Sequence, residues 1–163
     1  MALRTLIAAL ETQEQLLEEL FNLLNRETRE LSDINLDSMA EINNGKEDVA
    51  GRIEAHSVVL RKELAEAVIR QGLSAKATLG ELAESFKLQG KNEVALLHER
   101  LNRIAGRISQ LIIINSEIAE RFSASVTRSL ELLTRVINQS NMYGASGGYQ
   151  NRPAGAVMIN REA

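Results

Sequence analysis

From Leu3 to Leu31 the apolar residues Leu3, Ile7, Leu10, Leu17, Phe21, Leu24 and Leu31 recur at spacings of three and four, with Glu14 and Thr28 as polar interruptions. That spacing keeps one face of an α-helix apolar. Leu6, Leu16, Leu20 and Leu23 widen the face, as a helix packed against two neighbours requires. The stretch "SDINLDSMAE" supplies the break: Asp33, Asn35 and Asp37 favour turns, and Ser38 with Glu41 has the spacing of a capping box. A second helix is predicted from Met39 to about Arg70, with a seam of Met39, Ile42, Lys46, Val49, Ile53, His56, Leu60 and Leu64. Two members of this seam are polar. Lys46 is expected to lay its stem along the core and carry its charge to solvent, and His56 to be a partly buried ring with a satisfied hydrogen bond. Gly45 and Gly51 each cost about 1 kcal/mol relative to alanine inside a helix, so they mark local weakness or a close helix contact.

Thr78 and Glu81 form a second capping-box pair, and Leu79, Leu82 and Phe86 give a short helix that ends before Gly90. The last helix is predicted from near Asn92 to about Asn138, roughly 45 residues and near 70 Å long at 1.5 Å per residue. Its seam is Val94, Leu97, Leu101, Ile104, Ile108, Leu111, Asn115, Ile118 and Phe122, and Val126, Leu130, Leu133 and Ile137 follow with the spacing slipped. Such a stutter locally unwinds a left-handed supercoil, and Asn115 on a core position reads as a register device. No earlier helix is as long, so the end of the last one is expected to overhang with its apolar strip uncovered. After Ser140 the periodicity stops. Gly144, Gly147, Gly148, Pro153 and Gly155 argue against continued helix, leaving a flexible tail that holds both tyrosines, Tyr143 and Tyr149, and a small apolar cluster, Val157, Met158 and Ile159. The pattern predicts an all-α fold, an elongated antiparallel helical bundle of three long helices and one short, over residues 1–140, with a Gly-rich C-terminal tail over residues 141–163.

Composition narrows the chemistry. The chain is 44% hydrophobic but 3% aromatic, as long helices and coiled coils are. It has no cysteine, which removes disulfides, thiol catalysis and Cys-based zinc sites. The N-terminal stretch continues as amphipathic helix without a small-residue cleavage site and reads as mature protein. No run approaches the roughly 18 apolar residues that would span a membrane. Net charge is −3, divided into −6 over residues 1–71 and +3 over residues 72–163, so the two halves can attract one another in a folded hairpin. Neither half has a dense Lys/Arg cluster with interleaved aromatics, which speaks against nucleic acid as a partner. A di-metal site in a bundle needs Glu-x-x-His, and neither His56 nor His98 has glutamate three positions before it. No phosphate loop, nucleophile elbow or H-E-x-x-H motif occurs. These readings point away from an enzyme and from a cofactor or metal, and toward protein binding.

The long amphipathic last helix followed by "YGASG", Tyr143 to Gly147, resembles the FlgN family of bacterial flagellar export chaperones, whose Tyr-Gly-Ala-x-Gly element stands at the corresponding place. The helix-two stretch "SMAEINNGKEDVAGRIEAHSVVLRKEL", with Lys46 after Ile42 and the basic pair Arg61 and Lys62, is similar to family members as well. The resemblance implies a cytoplasmic chaperone whose C-terminal amphipathic region engages the hook-associated proteins FlgK and FlgL and whose Tyr element docks on the export gate protein FlhA. Carried onto this sequence, Ile118, Phe122, Val126, Leu130, Leu133 and Ile137 form the cargo surface, and Tyr143, Gly144 and Gly147 the gate contact. Tyr149 receives no role. The heptad seams taken alone leave a second reading open, a structural coiled-coil or oligomerisation protein that associates with itself.

Overall fold

The computed structural model describes residues 2–140 of the 163, with side chains placed over residues 3–137. Four helices follow one another: α1 (Ala2–Asp33), α2 (Leu36–Arg70), α3 (Leu79–Leu88) and α4 (Glu93–Ser140). No strand occurs among the described residues. The chain divides into two compact units, Met1–Ile118 and Ala119–Ala163.

The first unit is an antiparallel bundle. Thr5 Oγ1 donates to Glu63 Oε2 at 2.6 Å near one end of α1, and His56 Nε2 lies 2.8 Å from the Ala9 carbonyl oxygen one turn on. The Lys46 ammonium reaches Glu27 near the other end, so α1 and α2 run in opposite directions. Leu6 and Leu10 pack with Leu97 and Leu101, and Leu24 packs with Ile104 and Ile108, which sets α4 parallel to α1. Leu82, Ala83 and Phe86 of α3 close the base of this core together with Ala67, Val68 and Val94. Leu6, Leu10, Ile42, Leu82 and Val94 are completely enclosed. Opposite charges of the two halves meet where Arg100 Nε lies 3.1 Å from Glu14, and the Arg107 guanidinium lies 4.1 Å from the centre of the Phe21 ring.

All three connections from one helix to the next use the same device. A 6→1 backbone bond (Asn35 to Glu30, Leu73 to Val68, Lys91 to Phe86) ends each of α1, α2 and α3 around a residue of positive φ. Gly72 (φ 66°) and Gly90 (φ 77°) fill that place after α2 and α3, but after α1 it is Ile34, at φ 55°. A β-branched side chain in the left-handed region is strained, and Ile34 is 57% exposed, so no burial offsets the strain.

The second helix starts earlier than its sequence suggests. Asn35, in extended conformation, is the N-cap, its side-chain oxygen accepting from the Ser38 amide at 3.3 Å. Ser38 therefore sits inside the first turn and does not cap it. The reason is the tightness of the reversal: Asn35 serves both as the donor that closes α1 and as the cap that opens α2. The Thr78–Glu81 capping box forms as expected, with Glu81 Oε2 accepting from the Thr78 amide at 2.7 Å and Thr78 Oγ1 from the Glu81 amide at 3.2 Å. The Thr78 amide, and the Thr78 hydroxyl donating to the same oxygen at 3.1 Å, stabilise the ionised carboxylate and hold Glu81 below its usual range. The two α2 glycines separate. An added Cβ at Gly45 would stand 3.1 Å from Leu23 Cδ2, so Gly45 permits close approach of α1, whereas Gly51 meets nothing within 4 Å.

Candidate functional site

The seam of α4 changes character along its length. Val94, Leu97, Leu101, Ile104 and Ile108 are buried in the bundle core. At Asn115 the seam turns polar without becoming exposed, since Asn115 is 5% accessible and Glu27 beside it 8%. Asn115 Nδ2 donates to Glu27 Oε2 at 2.8 Å and to the Leu24 carbonyl at 3.0 Å, while its Oδ1 accepts from Thr28 Oγ1 at 2.6 Å. Lys46 Nζ stands 2.5 Å from the other Glu27 oxygen. The expectation that Lys46 carries its charge to solvent is thus overturned. Its ammonium turns inward because a buried carboxylate needs a counter-charge more than the ammonium needs water.

This network ties three helices at one level: Leu24, Glu27 and Thr28 on α1, Lys46 on α2 and Asn115 on α4. The bonds are directional and interlocked, so a shift of α4 by one turn would strand a buried carboxylate and a buried amide. That supports Asn115 as a register device. It also explains the polar interruption at Thr28 in the α1 seam. Glu14, the other interruption, faces Arg100.

The six residues proposed from sequence as a binding strip divide between the units and differ in exposure. Ile118 is the last residue of the first unit and Phe122 belongs to the second; both are half-buried. Val126, Leu130, Leu133 and Ile137 are 41%, 52%, 60% and 50% exposed. At about 100° per residue these side chains and Val136 fall within roughly 120° of the helix circumference. Arg121, Arg128, Glu131 and Arg135 fall on the remainder. Ser129 lies in the apolar sector, but its hydroxyl donates to the Ser125 carbonyl at 3.0 Å, which reduces the polarity the face presents.

Sequence reasoning missed Leu132 and Val136, which are 64% and 56% exposed beside the strip. A signal for them was present: Ile118, Phe122, Ser125, Ser129, Leu132 and Val136 form a second row at spacings of four and three, disguised by its two serines. The proposed gate contact, Tyr143, Gly144 and Gly147, lies outside the described residues, as do Tyr149 and the tail over residues 141–163. His56 has the carbonyl partner expected for it. His98 packs its ring on Gly80, where an added Cβ would meet Cε1 at 3.2 Å, and pairs with the Asn102 amide at 3.0 Å.

The longest helix among the described residues, α4 with 48 residues, carries an exposed apolar face. The class is that of an all-α helical protein. The chain matches the model of the FlgN protein family over residues 1–151 and belongs to that family. FlgN proteins are flagellar export chaperones, and that general role is this chain's. The family is a chaperone family, not an enzymatic one. No curated protein and no solved structure matches the chain. Among the described residues no helix is long and apolar enough to cross a membrane.

Proposed function

We propose that the chain is the cytoplasmic export chaperone of the hook-filament junction proteins FlgK and FlgL, and that it delivers them to the export gate protein FlhA. The observation that carries this reading is the exposed apolar face of α4, with Val126, Leu130, Leu133 and Ile137 all between 41% and 60% accessible. The terminal regions of junction proteins are apolar helices that pack only on assembly, so before export their apolar stripe needs a reversible cover. A helix with a complementary stripe supplies one. An interface of about 1,200 Å² would sit at the small end of specific complexes, which suits cargo that must be released. On this reading residues 1–140 are the chaperone domain, and Tyr143 with Gly144 and Gly147 in the tail is the handle for FlhA, Tyr supplying apolar area and a hydrogen bond together.

Co-expression with FlgK or FlgL tests the proposal: the chaperone should co-purify with at least one of them as a complex of defined stoichiometry. Failure with both, together with a stable homo-oligomer that survives dilution, would instead favour a structural self-associating protein. For the tail, Tyr143→Ala should weaken FlhA binding and leave the melting temperature unchanged. A large fall in melting temperature would make Tyr143 a packing residue.

A further inference from the structure

Helix α2 carries two apolar faces. The face turned to the core holds Ile42, Val49, Leu60 and Leu64. At about 100° per residue, Gly51, Ala55, Val58, Lys62, Ala65 and Ile69 fall on the opposite side, at the spacings of four and three that make a coiled-coil seam. All six are exposed, Val58 by 67% and Ile69 by 74%, and Val59 at the edge of the row is 50% exposed. The fold of the first unit makes no use of this row. Gly51, unlike Gly45, has no neighbour within 4 Å that needs its small size, although a glycine inside a helix weakens it. We propose that the outer face of α2 is the interface of a weak antiparallel dimer, covered by the same face of a second copy of the chain. The face lies within the first unit and includes no residue of the α4 strip, so the proposal does not rest on the cargo reading.

Self-complementarity selects the occupant. Gly51 and Ile69, Ala55 and Ala65, and Val58 and Lys62 are each spaced evenly about Leu60. A two-fold axis crossing α2 at that level sets each residue against its counterpart on the second copy. Ile69 then fills the space over Gly51, Ala55 faces Ala65, and Val58 lies along the stem of Lys62, whose ammonium reaches water at the rim. On one flank Val59 meets its own copy between two ion pairs of Arg52 with Glu66, the members of each lying within about 3 Å of the same level. Both groups can take this bond. Arg52 donates through Nε to Asp48 and through Nη2 to Glu19, and Glu66 accepts from Arg70 on Oε2, which leaves Arg52 Nη1 and Glu66 Oε1 without a bond among the described residues. A parallel pair would stack Lys62 on Lys62, leave a gap at Gly51, and separate Arg52 from Glu66 of the second copy by about 21 Å along the axis. On the other flank Arg61 approaches its own copy and opposes the contact. From Gly51 to Ile69 the seam is about 27 Å long and about 10 Å wide, a footprint on the order of 300 Å² per copy. That is well below the roughly 800 Å² that each partner buries in a stable complex, so the dissociation constant is on the order of 100 μM.

Sedimentation equilibrium of the full chain from about 10 μM to about 1 mM should show monomer and dimer in exchange. Gly51→Leu removes the helix-weakening glycine and occupies the space that Ile69 of the second copy needs. It should therefore raise the melting temperature of the dilute chain while weakening association about tenfold or more, a combination that a general loss of structure does not produce. Ile69→Ser, at a position 74% exposed, should weaken association to a similar degree with the melting temperature unchanged. Orientation is read with cysteines, of which the chain has none of its own. When chains carrying Ala55→Cys are mixed equally with chains carrying Ala65→Cys and mildly oxidised, the mixed disulfide should exceed the two symmetric ones together by roughly fivefold or more; random collision gives equal amounts. A chain that stays monomeric at about 1 mM overturns the proposal. So does a dimer that Gly51→Leu and Ile69→Ser leave intact but Leu130→Ser with Leu133→Ser abolishes, which moves the interface to the α4 strip, or a predominance of symmetric disulfides, which contradicts the antiparallel pairing.

Discussion

The buried network on α1, α2 and α4 makes a quantitative claim about Lys46. The Glu27 carboxylate is 8% accessible and has two partners, the Lys46 ammonium at 2.5 Å and the neutral Asn115 amide at 2.8 Å. Lys46→Met keeps the stem and removes the charge, so Glu27 is left buried with one neutral donor. Breaking a buried ion pair from one side costs about 3–5 kcal/mol; since the Lys46 side chain is 26% accessible, solvent relieves part of this, and about 2–3 kcal/mol is expected. For a domain of this size that lowers the melting temperature by roughly 5–12 °C. Adding Glu27→Gln removes the stranded charge while leaving an acceptor for Asn115, and should restore more than half of the loss. Urea denaturation of the wild type, both single variants and the double variant closes the cycle, with a coupling of at least about 1 kcal/mol expected. A Lys46→Met variant within 0.5 kcal/mol of wild type, or a double variant no better than the single, would mean that Lys46 only covers apolar surface and the network does not hold the helices in register.

Three further outcomes follow from the backbone and the caps. Gly51→Ala adds a Cβ into open space and should stabilise by about 0.5–1 kcal/mol, while Gly45→Ala, facing Leu23 at 3.1 Å, should show no such gain in the same chemical denaturation. Ile34→Gly relieves a β-branched residue at φ 55° and should raise stability by about 1 kcal/mol; a loss would mean that Ile34 packs usefully. Glu81 is held below its usual range by the Thr78 amide and hydroxyl, so its contribution to the cap is present above the ordinary carboxylate pKa and disappears as pH falls through the lowered one. Protection of the amides at the start of α3 should therefore fall below about pH 4, and Glu81→Gln, which removes the titrating carboxylate, should abolish that pH dependence.

The helices were legible because apolar spacing and burial obey the same period: Leu6, Leu10, Ile42, Val94 and Ile108 were all read on core faces and all lie in the core. Cap chemistry was legible where both members of a motif were local, as at Thr78 and Glu81. It misled at Ser38, since the identity of the cap depended on how tightly α1 reverses, and Ile34 gives no sign in sequence of adopting the backbone of a glycine. Lys46 was misread for a related reason. Its partner Glu27 lies 19 residues away on another helix, and no local rule says which carboxylate the fold will bury. The strip on α4 was found from spacing, but Leu132 and Val136 were not, because Ser125 and Ser129 interrupt their row and only the bond from Ser129 back to the Ser125 carbonyl reduces its polarity.

The central claim is that the exposed face of α4 holds the cargo. Leu130 and Leu133 are 52% and 60% exposed, so Leu130→Ser with Leu133→Ser removes little that the folded chain itself buries. If cargo covers what remains of each leucine, roughly 1–2 kcal/mol per residue is lost at about 25 cal/mol per Å², or about 30-fold or more in affinity for the pair. Calorimetric titration of the double variant against FlgK and FlgL, with its thermal unfolding recorded beside it, measures this directly. The account predicts binding weakened by at least 30-fold with the melting temperature within about 2 °C of wild type; unchanged affinity for both cargo proteins in a normally folded variant would contradict it.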